Sequence, residues 1–133
     1  GWDLYTTGLS DGVLERNGDS LVLQPRNRVR LKTGLALGIP KGHVGLIVDR
    51  SSLARRGLKV SGGLLDHGYT GEAKILMENL SGQPQEICVD DPVAQLLILP
   101  ICPVSIEQVA ALPQSARGEK GFGSSNKEKP PDG

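Results

Sequence analysis

The chain is poor in aromatic residues: one Trp, two Tyr and one Phe among 133 residues. Its core must therefore come from Leu, Val and Ile. Net charge is also missing, because 15 Lys and Arg cancel 15 Asp and Glu. That argues against a long nucleic-acid partner, which needs a basic surface to displace counterions. It leaves room for a small phosphorylated ligand held by a few local cations. Two cysteines, Cys88 and Cys102, are too few for a disulfide scaffold. Both lie in apolar, strand-like runs, so buried free thiols in a reducing compartment are expected. No apolar run of transmembrane length and no signal peptide is visible. The expectation is an intracellular protein of cytoplasm or nucleus with no membrane partner. An initiator Met is missing too, as expected of a trimmed chain or of a piece cut from a longer precursor.

What is abundant is punctuation. Eighteen Gly and nine Pro interrupt the chain every few residues. Between them lie short runs that alternate or are wholly apolar, at 20–24, 28–37, 43–48, 71–80, 85–89 and 93–99. Turn signals separate them: Asn17-Gly18, Gln24-Pro25, Pro40-Lys41-Gly42, Ser81-Gly82-Gln83-Pro84 and Asp90-Asp91-Pro92. Many short strands at this spacing predict an all-β sandwich or barrel. Only 51–56 suits a helix, closed by Gly57. The strand pattern stops near Pro113, which divides the chain into a β domain over 1–112 and a mobile, Gly-rich arm over 113–133.

Four segments carry polar residues where chemistry is possible. In the arm, Arg117-Gly118-Glu119-Lys120-Gly121-Phe122-Gly123-Ser124-Ser125 combines a guanidinium, three glycines and two hydroxyls, a cradle for phosphate. Phe122 sits there with no core to serve. An aromatic inside a phosphate cradle points to a nucleotide, whose base can stack on it. In Gly62-Gly63-Leu64-Leu65-Asp66-His67-Gly68-Tyr69 the pattern reads strand, tight turn, strand. The hairpin backbone can read a pyrimidine edge, Tyr69 can wall a sugar, and Asp66 can act as a general base on water. Asp66 can equally be a turn residue accepting local amide bonds. Arg50, Ser51 and Ser52 stand at a strand end where a helix starts, which suits an anion or a plain N-cap by Ser51 or Asp49. Gln95 lies inside an apolar strand and needs a partner, either a backbone group or a held water. His43 and His67 read as solvated loop histidines.

Gly1-Trp2-Asp3-Leu4, Arg50-Ser51-Ser52-Leu53-Ala54, the 63–72 hairpin, Val93-Ala94-Gln95-Leu96 and 117–125 occur in that order. Together they resemble the five motifs of the trimeric dUTPases, with the Asp-x-Gly-Tyr hairpin and the Arg-Ser-Ser segment most similar to the retroviral branch. The resemblance implies a dUTPase-like β-barrel or jelly-roll-type sandwich. It implies hydrolysis of dUTP to dUMP and pyrophosphate, with Mg²⁺ on the triphosphate and a homotrimer whose sites are shared between subunits. On it, Asp66 is the base and Gln95 holds the attacking water. Tyr69 packs under the deoxyribose, and the hairpin backbone, with Gly63 and Leu65, reads uracil. Arg50, Ser51 and Ser52 grip phosphates. Asp3 supports the metal region indirectly. Arg117, Gly121, Gly123, Ser124 and Ser125 close over the phosphates, and Phe122 stacks on the base.

The fourth motif departs from the family pattern, Gly-acid-basic-aliphatic-Ala-Gln. Here it reads Asp90-Asp91-Pro92-Val93-Ala94-Gln95, with Asp for Gly and Pro for the basic residue. Two rivals use the same fold. A dCTP deaminase needs a carboxylate ten residues beyond the hairpin Asp, where this chain has Leu76; Glu78 is displaced from it by roughly 7 Å along the strand. A dUTPase-like protein-binding module would have no need of Asp66, Tyr69, Gln95, Arg117 and Phe122 together.

Overall fold

The computed structural model describes residues 1–12, 15–17 and 19–123. They divide into two units, Gly1–Pro103 and Val104 onward, each described by itself. In the first, the chain runs β1 (Trp2–Tyr5), β2 (Gly8–Gly12), β3 (Glu15–Asn17), β4 (Ser20–Leu23), β5 (Arg28–Ala36) and β6 (His43–Val48). Then follow the one-turn helix α1 (Ser51–Arg55), β7 (Leu58–Ser61), β8 (Leu64–Leu65), β9 (Glu72–Asn79), β10 (Gln85–Cys88) and β11 (Pro92–Pro100). Three antiparallel sheets result: β1-β11-β6-β8, β10-β4-β3 and β2-β5-β9-β7. The all-β expectation holds, but the sheets do not close into a barrel.

Alternation builds the core. Along β5, Val29, Leu31 and Thr33 are buried while Arg28, Arg30 and Lys32 are exposed. Ala73, Ile75, Met77 and Asn79 of β9 face the same interior, and Leu21, Leu23, Leu4, Leu96 and Ile87 join them from the other sheets. A period of two on both partners fixes the register, since a one-residue slip would turn every apolar side chain outward. The six strands expected from 20 to 99 all form. β1, β2, β3 and β7 are additional; they are only three to five residues long, too short to show a period.

Two polar devices hold the turns. Asn79 is fully buried, and its Nδ2 donates to the carbonyls of Leu23 and Gln83 while Oδ1 accepts from the amide and hydroxyl of Ser81. It ties the end of β9 to β4 and to the following turn. Helix α1 closes as expected at Gly57, whose φ of +86° lies in the left-handed region. Its N-cap is Arg50, with no side-chain cap, so neither Ser51 nor Asp49 plays that part.

The thiols correct the sequence reading. Cys88 and Cys102 are free, but both are exposed. The reason for Cys88 is alternation: Ile87 takes the inward position of β10 and turns its neighbour out. Local desolvation and the carboxylates of Asp91 and Glu86 raise the Cys88 thiol above its ordinary value.

Candidate functional site

Strand β6 organises the polar residues. At its far end Val48 leads through Asp49 and Arg50 into α1. The Asp49 carboxylate accepts from the Val60 amide at 2.6 Å and pairs with Lys59 at 2.7 Å. Burial alone would raise this carboxyl; the Lys59 hydrogen bond, the Val60 amide and the Lys59 charge outweigh it and hold it below its ordinary value. Asp49 therefore fixes the approach to the helix rather than capping it. The Asp49 carbonyl accepts from Gln95 Nε2 at 2.8 Å, so the polar side chain inside β11 takes a backbone partner. Among the described residues its amide oxygen has no donor, so it can accept from another group.

Asp3 joins this cluster through β1, where it lies opposite Gln95. Arg50 Nε donates to Asp3 Oδ1 at 3.1 Å, and Arg50 Nη1 to the Pro92 carbonyl at 3.3 Å. Ser51 and Ser52 follow, exposed, at the open N-terminal turn of α1. Asp3, Arg50, Ser51, Ser52 and Gln95 are thus brought to one end of one sheet by three strands. Among the described residues no group of three or more His, Cys, Asp or Glu side chains is placed to hold a metal ion.

The hairpin runs beside β6, with Gly63 next to Ile47 and its tip directed toward the His43 end. β8 pairs with β6 through Gly45↔Leu65 and Leu46↔Leu64. Gly63 is required there, because a Cβ at that position would run into the Ile47 carbonyl. A turn follows in which the Tyr69 amide donates to the Asp66 carbonyl at 3.2 Å. The Asp66 backbone, not its side chain, accepts that bond. Among the described residues no protein group hydrogen-bonds the Asp66 carboxylate, which is exposed. The turn-residue reading of Asp66 therefore fails, and an acceptor is free for solvent or ligand. The Tyr69 ring folds over Gly71, where a Cβ would stand 2.5 Å from the phenol oxygen, and its hydroxyl donates to the Glu72 carbonyl at 3.0 Å. His67 is not simply solvated: its Nδ1 lies 2.9 Å from the Ile39 carbonyl. His43 makes a local contact with the Lys41 carbonyl at 3.1 Å.

In the second unit Arg117 Nε donates to the Lys120 carbonyl at 2.8 Å, and the Gly118 amide to Ser115 Oγ at 3.1 Å. Gly118 and Gly123 have φ of +57° and +80°, conformations that need glycine. Phe122 is fully exposed. Ser124 and Ser125 lie outside the described residues.

A sequence profile of the dUTPases matches residues 17–126. The chain belongs to the dUTPase family. It is 40% identical to the deoxyuridine 5'-triphosphate nucleotidohydrolase of Tropheryma whipplei strain Twist, over 84% of this chain and 80% of that one. Its fold is similar to that of a mutant of the Staphylococcus bacteriophage 80alpha dUTPase solved with dUpNHpp, with a TM-score of 0.77, 27% identity, and coverage of 92% of this chain and 83% of the other. The dUTPase of phage phi11 of S. aureus, described with a structural Mg(II) ion, shares the fold at a TM-score of 0.67 and 24% identity, over 84% of each chain.

The departures in the fourth family motif have local explanations. Asp90 replaces Gly at a φ of +68°, a left-handed position that Asp tolerates better than most residues. Pro92 opens β11 at a register shift, where Tyr5 pairs with Pro92 and Leu4 with Ala94. No ladder bond is lost where the pairing is already broken. The carbonyl of Pro92 serves Arg50 instead.

Sequence reasoning missed the roles of Asp49, Lys59 and Glu72, whose carboxylates and ammonium are used to fasten loops. A charged residue beside a strand end carries no mark that separates such a role from a solvated one.

Proposed function

We propose that this chain is a dUTP nucleotidohydrolase that converts dUTP and water to dUMP and pyrophosphate. The single observation that carries the reading is the Asp66 carboxylate, unbonded at the tip of the hairpin of a dUTPase-family chain. Asp66 takes a proton from water as the water oxygen bonds to the α-phosphorus. The bond from that phosphorus to the bridging oxygen breaks, and pyrophosphate leaves. The amide oxygen of Gln95 holds the water. Tyr69 packs under the deoxyribose, and the backbone around Gly63 and Leu65 reads uracil. Arg50 and the hydroxyls of Ser51 and Ser52 hold phosphates, with positioning and charge supplying most of the acceleration. The arm adds Arg117, Gly121, Gly123, Ser124 and Ser125 over the phosphates, with Phe122 stacked on the base.

The donor set suits a Mg²⁺ that arrives on the triphosphate. Mg²⁺ keeps most of its waters and needs only one or two carboxylates; Asp3, with one oxygen on Arg50 and the other free, would hold it through water. When bound, the ion neutralises phosphate charge.

Two features support a homotrimer with shared sites. The hairpin tip at Asp66 and the start of α1 at Arg50 lie toward opposite ends of β6, with about 13 Å of strand between them. A site containing both is completed by a second copy. The sheet β1-β11-β6-β8 is also apolar on both faces: Ile47, Leu96 and Leu65 face the core, while Val44, Leu46, Val48, Leu64, Leu97 and Leu99 share the opposite face by register. An antiparallel sheet with one wet face would alternate instead.

The deaminase alternative lacks its proton shuttle. Leu76 stands opposite Arg30 and Ser61, and Glu78 is spent on Arg28 at 3.8 Å. The test is pyrophosphate release from dUTP beside dCTP, dTTP and UTP with Mg²⁺, using Asp66→Asn as control. Release from dUTP alone, abolished by the variant, supports the hydrolase. Asp66→Asn turning over at the wild-type rate would refute the assigned base, and no release from any nucleotide would leave a binding module as the reading.

A further inference from the structure

The hairpin that presents Asp66 is itself weakly anchored. β8 is two residues long and makes two register pairs with β6, extended by a single backbone bond from the Ile47 amide to the Gly63 carbonyl at 2.8 Å. Between Leu65 and Glu72 the chain passes through a turn whose Gly68 has a φ of +89°. Such a tip has much backbone freedom to lose before it can aim a carboxylate.

Tyr69 closes the loop on itself through its hydroxyl on the Glu72 carbonyl at 3.0 Å, and two side chains tie it to the rest of the domain. At the base, Glu72 Oε1 accepts from the Gly34 amide at 3.1 Å, joining the hairpin to the end of β5. At the tip, His67 Nδ1 lies 2.9 Å from the Ile39 carbonyl. A carbonyl only accepts, so Nδ1 carries the proton. Ile39 is a firm anchor: it is 5% exposed, and its Cδ1 lies 2.9 Å from where a Cβ on Gly45 would stand. Gly45 pairs with Leu65, the residue before Asp66. The path from Asp66 through His67, Ile39, Gly45 and Leu65 back to Asp66 is therefore closed.

We propose that His67 is a positioning residue, a latch that fixes the Asp66 carboxylate by tying the hairpin tip to the loop after β5. The inference rests on the hydrolase reading above.

The chemistry of the contact selects the test. The side-chain nitrogen of Asn reaches the place of Nδ1, and that of Gln reaches the place of Nε2. His67→Ala and His67→Gln should lower kcat on dUTP about fivefold, the size carried by one net hydrogen bond. Amide exchange at Tyr69, whose amide bonds the Asp66 carbonyl, should quicken by a similar factor, with the melting temperature falling by only a few degrees. His67→Asn should restore both. Wild-type kcat and exchange in His67→Ala would overturn the latch, as would equal rescue by Gln. A wild-type chain inert on dUTP overturns the hydrolase reading instead, and the exchange rates then still decide whether His67 holds the tip.

Discussion

Arg50 donates to the Asp3 carboxylate at 3.1 Å, and the pair spans 47 residues of sequence to join β1 to the start of α1. Both side chains are partly exposed, so the pair adds little to stability, about 0–1 kcal/mol. Its effect is to hold the guanidinium in one direction. Asp3→Ala should therefore leave urea stability within about 1 kcal/mol and raise KM for dUTP roughly tenfold, as expected when a charge-assisted bond that orients a phosphate ligand is removed. An unchanged KM would show that Arg50 needs no support from Asp3.

Asn79 is a structural counterpart, buried with both ends of its amide bonded. Asn79→Leu would leave the carbonyls of Leu23 and Gln83 without donors. The expected loss is about 3 kcal/mol, because unsatisfied buried groups forfeit their solvation. Thermal or urea unfolding measures it directly. A loss below about 1 kcal/mol would mean that water replaces the amide.

Asp90 holds a left-handed conformation that glycine adopts without strain. Asp90→Gly should stabilise the fold by about 0.5–1 kcal/mol, the left-handed penalty less the added chain entropy of glycine. The midpoint of urea unfolding should rise with an unchanged slope. Destabilisation instead would assign the Asp90 side chain a native contact.

Asp49 predicts an acid dependence. Its pKa is lower folded than unfolded, so its stabilising contribution is present above the ordinary carboxylate pKa of about 3.9 and is lost as pH falls through the folded value. Wild type should lose stability between about pH 4 and its lower folded pKa. Asp49→Asn should show a flatter profile there and lower stability at pH 7. Parallel profiles for the two proteins would remove Asp49 as a source of the acid transition.

Much of this was legible in advance. The strands from 20 to 99 were marked by alternation and by Gly and Pro, which act locally. Asp66, Tyr69, Gln95 and Arg50 were visible as polar residues in places that local folding does not require. The buried thiol expectation failed because hydrophobic context along a strand does not tell which face a residue takes. The true partners of His67, Asp49 and Glu72 gave no signal, since each bonds to a backbone group 11 to 38 residues away.

The sequence by itself determined the element order and the chemical inventory, because short-range sterics and period-two burial act between near neighbours. Only the tertiary structure decided which residues meet. Asp3 reaches Arg50, Gln95 reaches the Asp49 carbonyl and His67 reaches Ile39 through strand register, and register is set by how distant apolar faces bury one another.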